Sequence, residues 1–185
     1  MKQQLKILLF VFTCLTIPTS NAGQNEQIPL WGSTFYGMTL KEVLTSVPNA
    51  QTTPDNIKPS FLNPNDQALA KLDNIEIAGE AFSAWFIFNN GKLHQVTLSL
   101  IPKMTSAEAS MPSDYLSALY AHFSLLLSAK YGNSARKTWQ DYAPTNTHLW
   151  NTQWIFGLTD IDLNVDKSQL EVNYSAQYAD DLRKL

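Results

Sequence analysis

The chain has 185 residues, with 13 lysine and arginine side chains against 16 aspartates and glutamates, a formal charge of −3 at neutral pH. That balance argues against nucleic acid or an anionic lipid surface as the main partner, since both call for clustered cations. A single cysteine, Cys14, cannot form an intramolecular disulfide, so stability has to come from apolar burial.

The first 22 residues read as an export signal. Lys2 and Lys6 form a short basic region, and Ile7 to Ile17 an apolar run. Ser20-Asn21-Ala22 supplies the small residues a signal peptidase recognises, which places a mature start at Gly23. The apolar run falls short of the roughly 20 residues a spanning helix needs, so no membrane span is expected after cleavage. Lipidation at Cys14 is disfavoured because Val11, Phe12 and Thr13 precede it where a lipobox wants small residues. Cleavage removes Lys2, Lys6 and Cys14, leaving 11 of the 13 basic side chains against all 16 acidic ones, a charge of −5 and no thiol. An exported domain without cysteine fits a bacterial periplasm. Residues 23–185 are expected to form a single domain around one core.

Residues 35–50, FYGMTLKEVLTSVPNA, predict a first helix. Thr39 can cap it, Glu42 three residues on can complete a capping box, and Met38 and Val43 sit where a hydrophobic staple needs them. Leu40, Val43, Leu44 and Val47 share one face, and Pro48 stops the run. Residues 49–72 carry Pro54, Pro59 and Pro64 and predict a long connection, with a short helix after Asn65 and with Phe61 and Leu62 pinning it to the body.

From Ile75 to Ile101 the period changes to two. Phe82, Ala84, Phe86 and Phe88 alternate with Ser83, Trp85 and Ile87, while His94, Val96, Leu98 and Leu100 alternate with Gln95, Thr97 and Ser99. Asn89-Asn90-Gly91 predicts the hairpin between them. A three-residue loop with Gly91 left-handed sets the phenylalanines beside Val96, Leu98 and Leu100. A second helix is predicted from Ser113 to Tyr131, capped by Ser113 and ended by Gly132, with Leu116, Leu119, Tyr120, Phe123, Leu126 and Leu127 as its buried stripe.

Three further strands are predicted at Thr147 to Phe156, Leu158 to Val165 and Leu170 to Ser175. Asp160, Asp162, Asn164, Asp166 and Glu171 fall at positions 1, 3, 5, 7 and 12 of an EF-hand calcium loop. Position 6, where such a loop needs glycine, is β-branched Val165, and position 8 is Lys167 instead of an apolar residue. Ile161, Leu163 and Val165 alternate with the acids, and Leu170, Val172 and Tyr174 with Glu171 and Asn173. A hairpin turning at Asp166-Lys167-Ser168-Gln169, acids on its wet face, is therefore expected, and no metal site. The whole predicts an α+β fold: an antiparallel sheet of about six strands with two helices packed on it, in a tandem αβββ order with half-repeats near 31–102 and 112–176.

Catalytic constellations are sparse. His94, His122 and His148 are 28 and 26 residues apart, without paired metal-ligand spacing, and there is no nucleophile elbow or phosphate-cradling glycine run. His94 belongs to an apolar strand face and His122 to a helix. Asp141 and His148 have no spacing that brings them together. No catalytic residue and no cofactor are assigned, and a non-enzymatic role is expected, with a hydrolase built on a dispersed site as an alternative.

The aromatic residues are the stronger lead. His148, Trp150, Thr152, Trp154 and Phe156 share one strand face, and Trp85 and Ile87 lie opposite the phenylalanine core. Either helices cover the tryptophan face and it is packing, or it is an exposed platform for a protein, peptide, glycan or lipid. Trp139, Tyr142, Trp150 and Trp154, with Phe61 in the long loop, are the candidate contacts.

Phe35-Tyr36-Gly37-Met38-Thr39 followed by Glu42-Val43 resembles the helix start of small exported bacterial modules, the BamE (SmpA/OmlA-type) and β-lactamase-inhibitor-like proteins. The resemblance implies short helices on an antiparallel sheet and a function of binding other proteins, and the tandem order is similar to the inhibitor branch. The chain lacks the lipobox cysteine of the former and the disulfides of the latter. The expected role is thus a periplasmic protein binder with an inhibitor, immunity or envelope-assembly accessory function and an envelope protein as partner. A carrier of a small apolar ligand or lipid, using a cavity between sheet and helices, is the alternative.

Overall fold

The computed structural model describes residues 27–54, 57, 59, 60, 62–102, 113–134, 136–142, 147–166 and 169–177, with side chains except those of Ser113, 137–142 and 147–149. The export segment, Phe61 and the cap at Ser113 therefore lie outside what is described. Helix α1 (Leu40–Ser46) starts as the sequence requires. The Glu42 amide donates to Thr39 Oγ1 at 3.4 Å, and the Thr39 amide donates to Glu42 Oε2 at 2.7 Å. These bonds satisfy two of the amides that a helix start leaves unpaired, and the Thr39 amide, with the Thr39 hydroxyl donating to the same oxygen at 2.8 Å, holds the Glu42 carboxyl below its usual range. Thr39→Ala is expected to cost about 1 kcal/mol, read as a drop of roughly 2–4 °C in thermal unfolding.

Eight strands follow in two groups. β1 (Gln51–Thr52), β2 (Gln67–Ile77), β3 (Glu80–Asn89) and β4 (Lys92–Leu100) come after α1; β5 (Arg136–Tyr142), β6 (Thr147–Phe156), β7 (Thr159–Val165) and β8 (Leu170–Ala176) come after α2 (Ser113–Tyr131). They form one antiparallel sheet in the order β1-β2-β3-β4-β8-β7-β6-β5. The first four strands run inward, the last four run back outward, and β4 meets β8 in the middle with Thr97 opposite Asn173. The α+β class holds. The sheet differs from the expected six strands by the two-residue β1 and by β5, and each helix precedes four strands instead of three.

Three local differences have physical causes. Where a short helix was expected after Asn65, residues 67–72 belong to β2. Their Gln, Ala, Leu and Lys favour helix on propensity, but pairing along β3, across two register shifts, overrides it. The β3–β4 turn is two residues, Asn90 at φ 50° and Gly91 at φ 73°, closed by the pair Asn89 and Lys92. A bulge then leaves His94 without a partner on β3 and restores Phe86 beside Val96. The anticipated faces are kept, but Leu93 takes the core position and His94 packs against Tyr36, ring centroids 6.4 Å apart. On α2 the buried stripe is Leu116, Leu119, Phe123 and Leu127, while Leu126 is exposed. Gly132, left-handed at φ 87°, ends the helix by donating its amide to the Ser128 carbonyl at 2.9 Å.

Both helices lie on the same face of the sheet. Val43 of α1 and the α2 stripe join Phe82, Phe86, Val96, Leu98, Ile161, Leu163 and Val172 in one core. Phe123 meets Phe82 edge-on at 5.3 Å, and Tyr115 at the start of α2 donates to Glu80 at 3.0 Å. The stretch 160–171 is the anticipated hairpin. Val165 pairs with Leu170, and the Asp166 carboxylate accepts the Gln169 amide at 3.0 Å across the turn. No helix among the described residues is long and apolar enough to cross a membrane.

Candidate binding surface

With both helices on one face, strand alternation delivers the other set of side chains to a face that no described helix covers. The registers align one residue from each strand into a band across the sheet: Gln51, Lys71, Trp85, Thr97, Asn173, Asp162, Gln153 and Arg136. Every member but Trp85 is polar. The flanking positions are Ser83, Ser99, Glu171, Asn164 and Asn151 on one side and, on the other, Gln95, Ser175 and Asp160 bracketed by the apolar Ile87 and Ile155.

These side chains bond to one another. At the centre, Thr97 Oγ1 donates to Asn173 Oδ1 at 2.7 Å, and Gln95 Nε2 donates to Thr97 Oγ1 at 2.8 Å and to Asn173 Oδ1 at 3.3 Å. Asn151 Nδ2 donates to Asn164 Oδ1 at 2.6 Å, and Gln169 Nε2 to Ser99 Oγ at 2.8 Å. Close packing leaves Thr97 fully buried and Ser83 nearly so. A network of this kind fixes rotamers, so its remaining donors and acceptors are presented in set positions.

Charge varies along the band. Toward β2, the Lys71 ammonium lies 2.7 Å from Asp73 and 4.4 Å from the Trp85 ring centre, and Ser83 Oγ donates to Asp73 at 2.6 Å. Burial pushes the Asp73 carboxyl up, but the bonds from Lys71 and Ser83, with the Lys71 charge, outweigh it and hold the group below its usual range. Toward β7 and β8, the carboxylates of Asp162 and Glu171 are half-buried. Burial raises Asp162, with the Asp160 charge adding to it and the Asn151 bond opposing it. Burial, aided by the Asp166 charge, pushes Glu171 up to about 7. The acids expected on a wet face are therefore substantially desolvated.

The tryptophan platform anticipated on β6 is on the other side. Trp154 is fully buried beneath α2, its indole N–H donating to Ser128 Oγ at 3.3 Å. Trp150 is half-buried and stacks on Tyr120 of α2, centroids 5.8 Å apart, while the Tyr120 hydroxyl bonds to Thr152. Among the described side chains of that row, Phe156 at its end is the one more than half exposed, against Tyr131. Trp139 and Tyr142 stand in β5 opposite Trp150 and Thr147, with side chains outside the described set, as is Phe61. Asp141 and His148, which no spacing brought together, are direct partners in the β5–β6 register. A cavity of about 460 Å³ lies beside β2, lined by Pro54, Ile57, Leu62 and Leu69 with Thr53 and Asp66, at the sheet edge and not between sheet and helices. The signal for this surface is the alternation of β3, β4, β7 and β8, of which only the acids of β7 and β8 were expected on a wet face. Comparison with protein-family models, curated proteins and solved structures finds no match to this chain.

Proposed function

We propose that this chain is an exported periplasmic binding protein without catalytic activity, which docks another protein on the helix-free face of its sheet. An inhibitor, immunity or envelope-assembly accessory role fits that reading. The observation that carries it is the polar band aligned across the sheet from Gln51 to Arg136, hydrogen-bonded at its centre through Gln95, Thr97 and Asn173, with Trp85 set in it. A surface of hydrogen-bonded amides, hydroxyls and carboxylates recognises a complementary protein face by hydrogen bonding and charge, and the part-buried Trp85 supplies the apolar anchor such interfaces use. We also propose that the helix-plus-four-strand halves are a tandem duplication, the arrangement implied by the resemblance to β-lactamase-inhibitor-like modules.

Photo-crosslinking residues placed in living cells at Gln153 and at Trp85, with a control at exposed Leu125 on α2, test the docking face. Protein adducts are expected from the first two positions and not from the control. Trp85→Ala should lower the affinity of the captured partner about 30-fold, as loss of a hot-spot side chain worth ~2 kcal/mol does, with circular dichroism checking that the variant is folded. Adducts from Leu125 alone would overturn the proposal.

A further inference from the structure

The two ends of the sheet are not alike. At one end, β1 is only two residues long and offers little edge. At the other, β5 runs for seven residues, and among the described residues β6 is its only strand partner. Its register with β6 is unbroken from Arg136 opposite Gln153 to Tyr142 opposite Thr147, without the shifts that interrupt β2. A straight edge of this length, free of proline and glycine, is a template for another strand, since its outward N–H and C=O groups have no ladder of their own.

We propose that the strand it accepts is β5 of a second copy of this chain, paired antiparallel about Trp139. The argument is self-complementarity of RKTWQDY. A two-fold interface requires that residue i meets j and j meets i. Only the register centred on Trp139 pairs all seven residues, and it sets Lys137 opposite Asp141 twice, Thr138 opposite Gln140, and Arg136 opposite Tyr142. Opposite charges directly across an antiparallel pair are favourable and like charges unfavourable, so this register is selected by charge as well as by length. The two-fold axis stands normal to the sheet, so the polar faces of both copies lie on one side as a continuous surface. This inference is independent of what docks on that surface.

Sedimentation analysis of the purified protein over a range of concentrations tests it, together with K137D, D141K and the exchanged pair K137D/D141K. The protein is expected to dimerise. Each single reversal, which places like charges opposite each other twice, is expected to weaken association by about tenfold or more, and the exchanged pair to recover most of the loss. Far-ultraviolet circular dichroism checks that each variant is folded. Recovery in the exchanged pair separates lost complementarity from a damaged strand. A protein that is monomeric throughout, a dimer indifferent to the single reversals, or an exchanged pair as weak as the singles would each overturn the proposal.

Discussion

Trp154→Ala is expected to destabilise the protein by about 3–5 kcal/mol, measured as a lower urea midpoint at unchanged slope. Trp154 stands opposite Ile161 in the β6–β7 register, has no solvent exposure, and spends its only donor on Ser128 of α2. Truncation leaves a void larger than the helix–sheet contact can close and strands the Ser128 hydroxyl without that partner, so the cavity and the lost bond add. Trp85→Ala, on the opposite face, removes a part-buried ring and its cation–π contact with Lys71, and is expected to cost less than Trp154→Ala. A loss below ~1 kcal/mol for Trp154→Ala would contradict the assignment of the β6 tryptophan row to the core.

Glu171→Gln is expected to make stability markedly less dependent on pH. The Glu171 carboxyl titrates near 7 in the folded protein against 4.5 when unperturbed, with burial the main cause and Asp166 the second. The folded state therefore holds this proton more tightly than the unfolded state. The associated stability is fully present below about 4.5 and is lost as pH rises through about 7. The gap corresponds to on the order of 3 kcal/mol. A neutral amide of the same shape cannot ionise. The variant should match the parent near pH 4 and exceed it by up to that amount near pH 8, in chemical denaturation at the two pH values. Asp162, raised mainly by burial, adds to the parent's slope in the same direction, whereas Asp73, held low by Lys71 and Ser83, opposes it at acid pH. Parallel pH profiles for parent and variant would rule out Glu171 as the source.

What was legible in the sequence was short-range. The capping box of Thr39 and Glu42, the left-handed Gly132 and the hairpin across Asp166 each rest on residues within four positions of one another, where local chemistry decides. Alternation also sorted Trp85 and Phe86 to opposite faces correctly. It could not say which face the helices would cover on β6, because that depends on packing between α2 and strands 20 or more residues away. Hence packing and platform stay open for the aromatic row in the sequence, and the structure decides for packing at Trp150 and Trp154, over which Tyr120 and Ser128 close. β5 was missed because RKTWQDY has no apolar alternation; among the described strands it is an edge with β6 as its neighbour. The pairing of β4 with β8 left no sequence signature at all.

That central pairing has a temporal consequence. Thr97 and Asn173 are 76 positions apart, while the strand contacts within each half are made by neighbours in the chain. Local hairpins form fast and distant pairings slowly. The two halves can thus zip independently, whereas the middle of the sheet waits for β8, the last of the described strands in chain order. Until Leu170 to Ala176 is inserted between β4 and β7, the inner edges of both halves stay open.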